Sequence, residues 1–280
     1  MGKKTKKERF VKIAVVMESD PKQRNHMVKM ASHDDGFDYV LQADNPEKFY
    51  KYVASLKKRG IRIGNLLLMG HGSTTYFYEH WYTYMRYSKK INTEERHKIG
   101  NFNSTDFDWH KVQKNYVKNQ ELLNDLNDQL KKITKKIEKV KTEEIKDRLI
   151  KEKETLLDDI KSKKELVKET GEKMDLIDDV SDSMAPGAKV GLFNCYGAEN
   201  SAFFNNIGEL FLHKHGGEIK GTTGLLITAT THPIIEWCTG NYSTGLHTTG
   251  KWKTKTILPA THCNGRNHKS TCTCGWGGPR

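Results

Sequence analysis

Residues 61–73 read IRIGNLLLMGHGS. Positions 61–69 form a mostly apolar run that leads straight into Gly-His-Gly-Ser, the pattern of a buried strand ending in a tight turn. Just upstream, Asn45-Pro46 opens a helix, with Phe49, Tyr50, Val53 and Leu56 on one face and Gly60 closing it. Residues 37–41 are a shorter strand candidate, and 11–17, VKIAVVM, read as another buried strand. Strand, helix, strand in this order predicts parallel strands covered by helices, an α/β fold.

Downstream, 189–194 (KVGLFN) is a fourth strand that delivers Cys195. Residues 198–215 follow as a helix, with Phe203, Phe204, Ile207, Leu210 and Phe211 on its apolar side, stopped by Gly216-Gly217. Residues 218–228 are a fifth strand, and from 230 the chain reads as loops and short strands. Residues 74–110 are aromatic and polar and carry no clear period.

Between the two apolar strand ends lies a long insertion. Residues 101–170 contain neither Gly nor Pro. Leu122, Leu126, Leu130, Ile133, Ile137 and Val140 follow heptad spacing, which lapses before Ile145 and resumes through Leu149, Leu156, Ile160, Val167 and Met174. An unbroken helix through about 60 residues would reach about 90 Å. An antiparallel hairpin turning near Lys141–Glu144 is therefore expected, with a long helix pairing to a second subunit as the alternative. Pro186-Gly187 closes the insertion.

The chain has 280 residues, is 35% hydrophobic and carries a formal net charge of +12. Residues 1–12 hold six Lys/Arg and one Glu, and 251–280 hold six Lys/Arg and no acid. Residues 111–183 hold 18 basic and 18 acidic residues, so the body is nearly neutral and the ends are basic. Basic ends make nucleic acid a candidate partner. No apolar run approaches a membrane span, and the N-terminus lacks a secretory cleavage pattern, so a cytoplasmic protein without membrane contact is expected. Five cysteines, an odd and unevenly placed number, argue against a disulfide framework.

In parallel α/β sheets, chemistry collects beyond the carboxyl ends of the strands. His71 and Cys195 each stand at such an end. A cysteine peptidase needs a thiolate, an imidazole to move its proton and N–H donors for the oxyanion. Cys195 stands just before an expected helix, whose N-terminal dipole favours the thiolate. Gly72 lets the backbone approach a substrate carbonyl, so its N–H and that of Cys195 are candidate oxyanion donors.

These two blocks, 66–73 and 190–197, resemble the caspase-like cysteine peptidases, the clan of caspases, legumains, metacaspases, clostripain-like enzymes and bacterial CHAT proteins. Their pattern is an apolar strand followed by His-Gly, then another apolar strand ending in the nucleophilic Cys, often with Gly or Ser two residues further on, as Gly197 stands here. The resemblance covers 10–72 and 187–230. It implies a caspase-like, mostly parallel sheet flanked by helices, and a dyad of His71 as general base and acid and Cys195 as nucleophile, with Gly72 in the oxyanion hole. The 123 residues between His71 and Cys195 exceed the family's usual loop. The resemblance also maps substrate-binding positions onto Glu18, Asp20, Thr222 and Thr223. Glu18 or Asp20 would favour a basic residue before the scissile bond, Arg24 nearby would argue the reverse, and the Lys-rich insertion is a candidate self-cleavage region.

Near the C-terminus, Cys263, His268, Cys272 and Cys274 fall within twelve residues. Four soft ligands suit tetrahedral Zn²⁺, so a small structural zinc knuckle is expected, with His262 a competing ligand. Cys238, beside Trp237, reads as core. The expected organisation is a basic tail (1–9), a protease domain (10–110 and 184–250), a coiled-coil helical-hairpin insertion (111–183) and a basic Cys/His tail (251–280). The partners expected are a protein or peptide substrate and an activating protein on the insertion. Two rivals stand beside the peptidase. One is an α/β-hydrolase, whose nucleophile elbow Phe193–Gly197 approaches without its first Gly. The other is a non-enzymatic coiled-coil and zinc-knuckle adaptor that binds nucleic acid or protein on a protease-like scaffold.

Overall fold

The computed structural model describes residues 8–33, 36–72, 98–224, 226–227, 238, 247–248 and 250–259. Two compact units emerge, one of 1–108 with 176–280 and one of 109–175. In the first, β1 (Arg9–Val16), α1 (Pro21–His33), β2 (Tyr39–Gln42), α2 (Pro46–Lys58) and β3 (Ile61–Met69) follow in order. The short strands β4 (Lys98–Ile99) and β5 (Phe102–Asn103) and a 3₁₀ turn at Ser104–Phe107 come next. After the second unit come β6 (Met184–Phe193), β7 (Gly217–Thr222), β8 (Leu226–Ile227), β9 (His247–Thr248) and β10 (Trp252–Ile257).

Six strands form one sheet in the order β10-β7-β6-β3-β1-β2. All pairings are parallel except β7 with β10. The order reverses between β1 and β3, which is the sheet's topological switch point. Ile13, Ala14, Val15 and Val16 are all fully buried, as are Leu66 to Met69, because helices cover both faces of these central strands. Alternation then divides the core. Ala14, Val16, Leu67, Met69 and Phe193 cluster with Met27 and Ala31 of α1. Elsewhere Phe49 of α2 packs on Phe102 and Phe211, and Phe107 on Phe203, with ring centroids 6.0–6.2 Å apart. Truncating any of these rings to Ala would cost about 3–5 kcal/mol.

Local chemistry accounts for the element ends. The Asn45 side chain accepts from the Lys48 N–H (3.0 Å), Pro46 begins α2, and Gly60 takes φ +75° where the chain turns into β3. Pro186-Gly187 lies inside β6, where the pairing with β3 shifts register between Ile63/Met184 and Asn65/Lys189. The expected fifth strand is two strands, because Thr223-Gly224 turns the chain after β7 and β8 pairs with β9 instead. Trp252–Ile257, grouped with the basic tail on its charge, is a strand of the main sheet.

The second unit holds α3, which begins at Trp109 and runs to Lys139, and the first 33 residues of the helix Glu143–Asp182, here α4. The two helices run antiparallel. Lys163 Nζ lies 3.5 Å from Asn119 Oδ1, and the Tyr116 ring is 3.3 Å from where a Cβ on Gly171 would stand. Ile133, Leu156 and Ile160 are buried together, with Leu123, Leu126, Leu130 and Ile137 against them. The seam thus passes through Leu123 rather than Leu122, which is exposed. Among the described residues no helix is long and apolar enough to cross a membrane.

The last turns of α4, from 176, belong with the sheet. Ser181 Oγ donates to the Phe211 carbonyl (3.0 Å), and Arg62 donates to the carbonyls of Asp182 (2.8 Å) and Met184 (3.2 Å). Lys57 pairs with Asp182, whose carboxylate lies 2.9 Å from His215 Nε2. Burial lowers the proton affinity of His215, and Arg62, Lys214, Lys57 and His213 add to that despite the nearby carboxylate. The unfolded chain titrates this imidazole near its ordinary value of about 6.5. Below that pH the unfolded chain binds the extra proton more readily, so stability is lost on acidification. The melting temperature is expected to fall between pH 7.5 and 5.5, and to fall less in His215→Gln. An equal fall in the variant would assign the effect elsewhere.

Candidate active site

His71 and Cys195 are delivered by neighbouring strands. The Gly70 N–H donates to the Phe193 carbonyl (3.1 Å), which carries the β3–β6 pairing one residue past Met69. One residue beyond Gly70 is His71, and two beyond Phe193 is Cys195. Gly72 lies against the Cys195 backbone, so closely that a Cβ there would stand 1.9 Å from the Cys195 carbonyl oxygen. Among the described residues the Gly72 N–H has no acceptor. Directly after the cysteine, Tyr196 takes φ +59°, a left-handed conformation that costs a non-glycine residue on the order of 1 kcal/mol. The Tyr196 N–H donates to the Gly224 carbonyl (2.8 Å) and holds this turn.

His71 and Cys195 line one cavity of about 40 Å³, together with Gln23, His26, Met27 and Met30 of α1 and Leu226 of β8. The Cys195 side chain is 7% exposed, and the Leu226 N–H donates to its Sγ at 3.4 Å. Burial raises the thiol to about 11, against the smaller opposite effect of the N–H groups of Leu226 and Cys195 itself. The next helix, α5 (Ser201–Leu212), starts six residues after Cys195 and is capped by Asn200. The expectation that a helix dipole acts directly on the thiol therefore lapses, because the dipole field is confined to the terminal turn. His71 is likewise pushed below its ordinary value, chiefly by burial, with Glu18 and Asp20 working against that and His26 with it. At neutral pH the pair is thus a neutral thiol beside a neutral imidazole.

Glu18 is 3% exposed. Its Oε1 accepts from the N–H groups of Ser19 (2.9 Å) and Asp20 (3.1 Å), and its Oε2 from the His71 N–H (3.2 Å). Asp20 is exposed and caps α1, its Oδ1 accepting from the Gln23 N–H (2.8 Å). Thr222 is fully buried, with its Oγ1 accepting from the Gly224 N–H (3.1 Å). Thr223 exchanges bonds with the Lys251 backbone. None of these four lines the cavity that holds His71 and Cys195. Cys263, His268, Cys272 and Cys274, expected to bind zinc, lie outside the described residues, as does His262. Cys238 is fully buried, packed in the core beside α1.

The α1 side of the cavity went unread in the sequence. Its signal was Asp20-Pro21, a cap residue followed by an N1 proline, with Gln23, Met27 and Met30 spaced i, i+4, i+7. The chain is thus an α/β protein with a mostly parallel six-stranded sheet, with His71 and Cys195 lining one cavity at its carboxyl edge. No protein-family model matches the chain, and no curated protein or solved structure matches it.

Proposed function

We propose that this chain is a caspase-like cysteine endopeptidase acting through His71 and Cys195, with α3 and α4 forming a coiled-coil hairpin inserted between the two catalytic strands. The observation that carries this reading is that both side chains line one cavity at the carboxyl ends of the neighbouring strands β3 and β6. Burial raises the thiol far above neutral pH, so the reading starts from the neutral thiol rather than from a preformed ion pair. Instead His71, neutral and able to accept, takes the Cys195 proton as sulfur attacks the substrate carbonyl. The N–H of Gly72 receives the developing oxyanion. The protonated His71 then gives its proton to the leaving amine, and water hydrolyses the thioester, freeing the acid and restoring the thiol. A peptide or protein is the substrate, and the hairpin offers a surface for an activating protein.

The buried thiol also favours a second reading, a non-catalytic adaptor on the same scaffold. A panel of peptidyl acyloxymethyl ketones with basic, acidic and apolar terminal residues separates the two. A mass shift on the peptide that contains Cys195 is expected from at least one member. Absence of any adduct on the full chain, with peptide reporters uncleaved, would leave the adaptor.

A further inference from the structure

Glu18 is the one buried carboxylate among the described residues. It stands where the β1–β3 ladder ends. The Met17 N–H to Met69 carbonyl bond (2.8 Å) is the last backbone link between those chains, and one residue further on the Glu18 side chain replaces it by reaching the His71 N–H. On the opposite side the Gly100 N–H donates to the His71 carbonyl (2.8 Å), and the Asn101 N–H to the Met17 carbonyl (2.9 Å). Both backbone polar groups of His71 are therefore held, one by a carboxylate and one by the β4–β5 turn.

We propose that Glu18 is a positioning residue for His71: its carboxylate fixes the His71 backbone across the gap between β1 and β3, and its charge favours the imidazolium that forms as Cys195 gives up its proton. This rests on the peptidase reading for its purpose but not for its geometry. Among the described residues, the titratable groups facing His71 are Glu18 and Asp20 beyond β1, His26 on α1 and the Cys195 thiol beyond β6. Asp20 is exposed and solvent screens it, whereas Glu18 is buried and acts at closer to full strength. His26 opposes both.

Glu18→Gln keeps the volume, removes the charge and sets an amide donor against an N–H that needs an acceptor. Ring-labelled histidine NMR, with His71→Ala to identify the resonance, reads the result without any substrate. A loss of about tenfold in His71 proton affinity is expected, together with slower iodoacetamide capture of Cys195 near neutral pH. Glu18→Asp, which keeps the charge but draws it back, should lose less in the same direction, and it serves as the test if the Gln variant does not fold. Unchanged His71 titration in a folded variant overturns the proposal. A shifted titration in a chain that cleaves no peptide would sink the peptidase reading and leave the Glu18 assignment standing.

Discussion

Peptide hydrolysis is expected to vanish in Cys195→Ala and to fall about 10²–10⁴-fold in His71→Ala, with the fold intact in both. The two losses differ in kind. Without the thiol there is no nucleophile at any pH. Without the imidazole the nucleophile remains, but it must ionise on its own, and burial holds it near 11. Activity in His71→Ala should therefore climb about tenfold per pH unit through the alkaline range, while the wild type levels off once its imidazole is neutral. A pH–rate profile of kcat/KM with thermal melts alongside measures this. A flat alkaline limb in His71→Ala would mean that His71 does not relieve the proton problem of Cys195.

The second large effect is expected at Gly72. An alanine there brings its methyl group to 1.9 Å from the Cys195 carbonyl oxygen and 2.9 Å from the carbonyl carbon. Both partners are backbone, so no side chain can rotate away. One of the two loops must move by about an ångström, and displacement on that scale costs on the order of 10²-fold in rate. Overpacking of this kind also costs about 1–3 kcal/mol of stability. Gly64→Ala is the control, since its methyl would meet only the Val11 carbonyl at an ordinary 3.7 Å. Equal kcat/KM and urea midpoints for the two variants would refute the close approach.

Much of the sheet was legible because its central strands are buried on both faces and read as unbroken apolar runs. The strand Ile61–Met69 has the bounds its sequence implies, and Asn45-Pro46 caps the helix it appeared to cap. The strand Trp252–Ile257 was hidden for a different reason. Its alternating lysines looked like part of a basic tail, although alternation of this kind is also what an edge strand requires. Glu18 was visible as an acid at the end of β1, but its partners are backbone N–H groups, one of them 53 residues away. Every residue except proline carries such a group, so no residue type marks it in a sequence. The thiol's environment was hidden too, since Leu226 reaches Cys195 only because the chain turns at Thr223-Gly224.

The edge strand β10 also changes what the C-terminal charge means as a polyelectrolyte. Lys253 donates to Ser201 Oγ (3.0 Å), and its ammonium lies 5.4 Å from the centre of the Phe204 ring. Lys255 donates to Asn205 Oδ1 (2.9 Å) and sits 4.0 Å from Glu209. Two of the six basic residues in 251–280 are thus engaged by α5. These two ammonium groups are therefore held along α5 rather than carried on a free segment. Part of the charge that looks like an invitation to nucleic acid serves to fasten this edge strand to its helix.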